Sequence, residues 1–262
     1  VSTLVCLHAH PDDESIATGG SIARAANEGH RVVLVVATDG RHGETPDDLA
    51  PGETLVDRRR RETELSADVL GVSEIRWLGF HDSGMTGWEQ NRASGAFVGA
   101  DLDEAAELFA EILDDVDADV VTCYDWHGGY GHPDHIMVHR VGHRAVELLA
   151  ERGRSVRLLE STMNRTRIAR MRAEISDDGD FDPNAPADDG NPFGSTEDEI
   201  TMAVDVSSYV DQKRRSMACH ASQITDQSFF LQMSPEMFAM AFGTEWFIEA
   251  GRPGGAEPGW FM

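Results

Sequence analysis

Two short stretches of this 262-residue chain concentrate side chains able to do chemistry: His8-Ala9-His10-Pro11-Asp12-Asp13-Glu14 and His132-Pro133-Asp134-His135. The first packs five ionisable groups into seven residues. That is electrostatically costly unless a positive centre sits among them, and a divalent metal is the simplest such centre. His10 and Asp13 are three apart, as are His132 and His135, so each pair can project to one side of a turn. A lone histidine is more often a packing or capping residue, but two His-Pro-Asp clusters are hard to explain that way. Two imidazoles and one carboxylate suit zinc in its open catalytic form, and iron(II) fits the same donor list. Zinc lowers the pKa of its water to about 7, so hydrolysis at neutral pH is the chemistry to expect. Asp12 cannot point the same way as its neighbour Asp13 and is free to act as a base. His132 can donate to developing negative charge, and Asp134 can orient a histidine from behind.

Both clusters follow apolar runs of strand length, Leu4-Val5-Cys6-Leu7 and Asp119-Val120-Val121-Thr122-Cys123-Tyr124. They therefore lie at the carboxyl edge of one sheet, where open α/β folds bind ligands. Further strands are expected at residues 31–40, 75–80 and 156–160. Helices are expected at 22–26, 58–70 (Leu65, Val69 and Leu70 inward, Gly71 as C-cap), 103–113 and 133–150. This alternation predicts an α/β, Rossmann-like, mostly parallel, doubly wound sheet over residues 1–165. Residues 166–262 read as a C-terminal elaboration of the same single domain that completes the pocket. In it a strand is expected at 200–206 and helices at 209–221 and 235–242. Met233, Met237, Met240, Phe238 and Phe242 read as core stripes. The stretch 177–192 holds six aspartates, three prolines and two glycines and reads as a solvated loop or disordered insertion. It is no calcium loop, because Pro183 stands where that template needs glycine and no glutamate closes it.

The 47 acidic residues against 22 Lys and Arg leave a formal charge of −25, which disfavours nucleic acid and anionic membranes as partners. No apolar window is long enough for a transmembrane helix, and the chain starts on a strand without a basic-then-apolar leader, so a cytoplasmic location is expected. Cys6, Cys123 and Cys219 are odd in number, distant in sequence and mostly set among apolar neighbours. They read as free thiols in a reducing compartment rather than as nucleophiles.

Taken together, His10-Pro11-Asp12-Asp13-Glu14 and His132-Pro133-Asp134-His135 resemble the LmbE-like family of N-acetylglucosaminyl-phosphatidylinositol de-N-acetylases. The likeness runs from Leu4 to about Ala150, more weakly to Ile224, with both motifs intact. It implies a Rossmann-like, zinc-dependent hydrolase that removes an acyl group from an amino sugar, with one ion per chain. By position it implies His10, Asp13 and His135 as metal ligands and Asp12 as general base. It implies His132 as the charged partner of the tetrahedral intermediate, with Asp134 holding it. Gly128-Gly129-Tyr130-Gly131-His132 and Asp82-Ser83-Gly84-Met85 look most like the mycothiol branch, which contains the N-acetylglucosaminyl-inositol deacetylase and the mycothiol S-conjugate amidase. That similarity implies Tyr130 at the oxyanion and Arg59, Asp82 and Met85 around a small amino-sugar substrate. His220 is a further candidate contact.

Each residue has a plainer reading. Arg58 to Arg61 is a charge run that could be a solvated helix face, Asp82-Ser83-Gly84 could be a turn, and Met85 could be packing. Glu14 could support the first cluster from behind, and His8 reads as structural. The C-terminal third does not match the family clearly, which leaves other amino-sugar deacetylases open. The closing Trp260-Phe261-Met262 suggests docking on a partner subunit in a homo-oligomer. A rival class is a metal-dependent module that binds a small ligand without hydrolysing it, but binding alone would need neither a free base nor an oxyanion partner. Nucleotide binding fails, because carboxylates stand where phosphate-binding glycines should be.

Overall fold

Apolar runs with no polar alternation form strands only where both sheet faces are covered, and the two central strands show this. β1 (Thr3–His8) is buried along its whole length, and in β2 (Arg31–Thr38) only the first residue is not. The computed structural model describes residues 1–175 and 182–262. In chain order the elements are β1, α1 (Gly19–Asn27), β2, α2 (Leu55–Leu70), β3 (Glu74–Phe80), α3 (Leu102–Asp115), β4 (Val120–Tyr124), α4 (Pro133–Glu151) and β5 (Arg157–Thr162). There follow α5 (Arg165–Ile175), β6 (Met202–Asp205), α6 (Val210–Cys219), α7 (Phe229–Gln232), α8 (Pro235–Phe242), β7 (Thr244–Ile248) and β8 (Glu257–Pro258).

All eight strands join one sheet in the order β3-β2-β1-β4-β5-β7-β6-β8. The first five are mutually parallel, β7 runs antiparallel to β5 and β6, and β8 is parallel to β6. The expected α/β Rossmann-like sheet is thus present, and the order reverses between β1 and β4. That switch point is where the loops after the two strands part to opposite sides and leave a crevice. On one face α3 and α4 pack Phe109, Leu113, Val138 and Val141 onto Val5, Leu7, Val33 and Val121. On the other, Ile22, Ala23 and Leu70 meet Leu4, Cys6 and Val32, joined by Val204, Phe247 and Phe261 from the C-terminal part.

Several expectations are corrected. The helix expected from Ile22 starts earlier, as a wide π-type turn over Glu14–Thr18 that runs into α1. In α2, Leu65 is 56% exposed, while Arg59, Glu62, Thr63 and Ser66 are buried with Leu55, Ala67 and Leu70. The helix turns a polar stripe inward because it faces the loops after β1 and β2 and the segment after α6 rather than apolar core, so apolar periodicity misjudges its orientation. Met237 and Met240 are exposed, and of the expected methionine and phenylalanine stripes only Met233 and Phe238 are buried. Phe242 is half-buried and packs on Phe238, while Met237 and Met240 fall on the outer face of the eight-residue α8.

Strand β7 and helix α5 were not anticipated. The short Thr244–Ile248 run alternates, with Glu245 and Phe247 buried. The terminal aromatics dock on this chain itself. Phe261 is buried against Phe247, and Trp260 donates its Nε1–H to Glu28 beneath the Arg24 guanidinium. Of the acidic stretch, residues 177–181 lie outside the described residues. Its second half is mostly exposed, as a solvated loop is, and is tied down at two points: Asp188 donates its N–H to the Tyr130 carbonyl, and Asp189 lies against Gly131. No helix among the described residues is long and apolar enough to cross a membrane.

Candidate functional site

The loop after β1 carries His10, Asp12 and Asp13, and the loop after β4 leads through Tyr130 and His132 into α4, whose first turn holds Asp134 and His135. The two expected clusters therefore meet across the switch point. His132 caps α4, its Nδ1 accepting the Asp134 N–H at 3.1 Å, with Pro133 in the first turn where its missing N–H costs nothing.

Asp13 Oδ2 lies 3.3 Å from both His10 Nδ1 and His135 Nε2. Asp13 also fixes its own loop by accepting the His10 N–H at 2.8 Å. The His10, His132 and His135 rings all offer a nitrogen within 4.8 Å of one another. His135 decides whether a cation fits. Its Nδ1 donates to the Gly128 carbonyl at 3.1 Å, and its Nε2 is buried without a hydrogen-bond partner. A neutral His135 would set a lone pair against a carboxylate oxygen at 3.3 Å, a repulsion that a cation held between them, a metal ion or a proton on Nε2, relieves. Gly128 makes the arrangement possible: at φ +66° it adopts a conformation that suits glycine, and a Cβ there would sit 2.3 Å from the Cβ of His135.

Behind the ligand candidates stand further groups. The Asp134 carboxylate accepts from the Ser83 N–H at 2.8 Å, from the Ser83 hydroxyl, and pairs with His10 Nε2 at 3.2 Å. The histidine that Asp134 holds through its side chain is thus His10; His132 meets only its backbone. Asp82 is buried, accepts N–H groups from His42 and Gly84, and lies 3.5 Å from His10 Nε2. Burial disfavours the His10 cation, yet Asp13, Asp134 and Asp82 around it raise its pKa well above the ordinary value. Burial would raise Asp13, but His135 and His10 hold it well below the usual carboxylate range.

Asp12 is one of few non-glycine residues at positive φ, here +122°. Such conformations cost about 1–3 kcal/mol and persist where the surroundings enforce them. They do so here. Arg59 donates to the Pro11 carbonyl at 2.5 Å, to the Gly40 carbonyl at 2.7 Å and to Asp12 Oδ2 at 3.1 Å, while Glu14 accepts the Asp12 N–H at 3.0 Å. Burial pushes Asp12 up to about 6 against the pull of Arg59. Arg59 is buried, and its two terminal nitrogens are held in this clamp beside Asp12.

His220 is fully buried behind Glu14, its Nε2 2.6 Å from Glu14 Oε1, which also accepts the Ser66 hydroxyl. The Tyr130 ring lies 4.9 Å from that of His135, edge to face, and 6.1 Å from that of His132. Burial and the nearby Asp13 and Asp12 raise its pKa well above the ordinary value, so the hydroxyl stays a donor. Met85 is half-buried in the loop that carries Asp82.

Residues 5–146 match the family described as PIG-L, GlcNAc-PI de-N-acetylase. The chain is 39% identical over 260 residues to the 1D-myo-inositol 2-acetamido-2-deoxy-alpha-D-glucopyranoside deacetylase of Acidothermus cellulolyticus, covering 95% of this chain and 88% of that one. The chain belongs to the PIG-L family. A deacetylase of the same name from Saccharomonospora viridis is 39% identical, covering 95% of this chain and 96% of its own. Among solved structures, the N,N'-diacetylchitobiose deacetylase from Pyrococcus horikoshii superposes with a TM-score of 0.57 at 24% identity, over 95% of this chain and 82% of the other. That likeness speaks to the fold. The sequence relatives span the C-terminal third too, which corrects the expectation that it departs from the family.

In this PIG-L family chain, sequence reasoning missed Ser83, Ser66, Glu62 and Tyr124. Tyr124 stacks on His135 at 4.5 Å, and its hydroxyl bonds the buried His8. Glu62 accepts the Ser222 N–H and hydroxyl and ties α2 to the segment after α6. The available signal was weak: polar residues three and four apart on α2, which also fit a solvated face.

Proposed function

We propose that the protein is a metal-dependent amide hydrolase that removes the N-acetyl group from an N-acetylglucosaminyl-inositol type of substrate. The observation that carries the reaction is Asp13 Oδ2 at 3.3 Å from both His10 and His135, beside an Asp12 clamped at positive φ. The named activity of the curated relatives supports the substrate class. His10, Asp13 and His135 would hold the ion, and zinc suits that donor set. When bound, such an ion supplies Lewis acidity, bringing water near neutrality and polarising the scissile carbonyl.

Asp12 accepts the proton of the attacking water and returns it to the departing amine; its pKa near 6 suits a base working close to neutral pH. His132 has its Nδ1 engaged as an acceptor, so the neutral ring carries its proton on Nε2, which donates to the developing oxyanion together with the Tyr130 hydroxyl. Burial, with His10 and His135 beside it, lowers the His132 pKa to about 2, which favours a neutral ring in the free protein. Asp82 and Met85 line the substrate side. The acidic surface suits a small neutral substrate, and the three free thiols suit a reducing cytoplasm.

The test is amine release from N-acetylglucosaminyl-inositol, a mycothiol S-conjugate and free N-acetylglucosamine, with protein stripped of metal and then reloaded with zinc. Metal-dependent release, fastest from the first, is expected. Asp12→Ala should keep its metal and lose turnover, whereas Asp13→Ala should lose metal. Undiminished turnover in Asp12→Ala would remove the base assignment, and ligand binding without release from the zinc-loaded protein would favour a binding module.

A further inference from the structure

A second cluster of metal-ligating side chains lies outside this centre. Cys123 on β4 and Glu160 on β5 are register partners in a parallel pair, so they stand side by side on one face of the sheet. Above them α4 presents His139, Gly142 and His143, spaced three and four apart on one helix face. Gly142 allows the approach: a Cβ there would sit 2.9 Å from the Cβ of Cys123 and 3.2 Å from its sulfur. Cys123, His139 and His143 each offer a donor atom, and these atoms all lie within 4.8 Å of one another.

Each imidazole has one ring nitrogen tied by a hydrogen bond, as metal-bound histidines do. His139 Nδ1 donates to the Tyr124 carbonyl at 3.1 Å, which places the lone pair of the neutral ring on Nε2. His143 Nε2 lies 2.7 Å from Glu160 Oε1, a carboxylate–histidine pair that leaves Nδ1 available. The two rings are 4.4 Å apart and partly exposed, so an ion can enter from solvent.

We propose that Cys123, His139 and His143, with Glu160 orienting His143, form a second cation site of the zinc class, independent of the catalytic centre. One thiolate and two imidazoles select a borderline or soft transition ion over magnesium or calcium. Donors around a tetrahedral zinc stand about 3.3–3.8 Å apart, so the rings must turn and draw in toward the sulfur to close the site. Burial, with Glu160 and Asp125 nearby, keeps the Cys123 thiol protonated in the free protein. Each ion bound there therefore displaces one proton from sulfur into solvent and leaves a position for water.

Cobalt(II) titration of the full chain tests this separately from the deacetylase reading, because the first centre has only nitrogen and oxygen donors. A thiolate-to-cobalt charge-transfer band in the near ultraviolet is expected to saturate at one ion. It should vanish in Cys123→Ser and in His143→Ala, a partly exposed position where the fold tolerates change. Total metal should fall from two ions per chain to one in His143→Ala with deacetylation retained, and Glu160→Gln should weaken the second ion by about 10–100-fold. A cobalt-saturated wild type with no thiolate band, or a band that survives His143→Ala, overturns the proposal and leaves the cluster a hydrogen-bond network. A band in a protein that releases no amine would retain this site and remove the other reading.

Discussion

Asp12 shows how one residue can join strain to function. Its positive φ turns the side chain away from Asp13, and the Arg59 clamp and Glu14 enforce that turn. Relative to Asp12→Ala, which lacks the same carboxylate, Asp12→Gly should therefore be more stable by about 1 kcal/mol in urea unfolding, since glycine takes positive φ without strain. The same variant should lose about 100-fold or more in turnover. An Asp12→Gly protein no more stable than Asp12→Ala would show that the loop conformation is not strained.

The buried Glu14–His220 pair makes a second residue-level prediction, about pH. The nearby Glu14 carboxylate raises His220 against the effect of burial, so its stabilisation is complete below the unfolded value of 6.5 and fades as pH rises through the folded one. His220 and Ser66 lower Glu14 against burial, so its share is complete above 4.5 and fades as pH falls through its folded value. The stability lost in His220→Gln should be largest between those two values and shrink on either side. A loss that does not change with pH would mean that the pair is not ionised.

Among the elements, α1, α6 and β7 are tied through one buried carboxylate. Glu245 on β7 accepts the Gly20 and Ser21 N–H groups in the first turn of α1, each at 2.8 Å, and pairs with Lys213 of α6 at 2.5 Å. Lys213 is the chain's only lysine, and both partners are almost fully buried. Removing one partner of such a pair leaves a buried charge uncompensated, at a cost of about 3–5 kcal/mol. Lys213→Met should lose that much in denaturant unfolding. Lys213→Met with Glu245→Gln should recover part of it, because the amide oxygen still accepts from α1 and no charge is stranded. A neutral Lys213→Met would show that the α1 donors alone suffice for Glu245.

Across the whole molecule, the C-terminal third closes what the parallel core begins. β7 and β6 extend the sheet beyond β5, and the tail folds back so that Phe261 packs on Phe247 while Arg157 donates to the Phe261 carbonyl. Phe261→Ala should cost about 3–5 kcal/mol of stability, with turnover per folded molecule unchanged. A change in oligomeric state without a loss of stability would show that the tail serves an intermolecular contact after all.

The sequence by itself determined the strand–helix alternation, the two His-Pro-Asp clusters and their common sheet edge. Those features rest on local pattern: uninterrupted apolar runs, proline in a first helical turn, and close spacing of ionisable groups. Only the tertiary structure decided what contacts distant in the chain create. It turned Arg59 inward to clamp Asp12, set His220 behind Glu14 and gave the Asp134 carboxylate to His10. It also reversed the reading of the polar stripe on α2 and of the terminal aromatics. The physical reason is the same throughout. A charged or aromatic side chain has the same local signature whether it meets solvent or a buried partner, and that partner lies tens to hundreds of residues away.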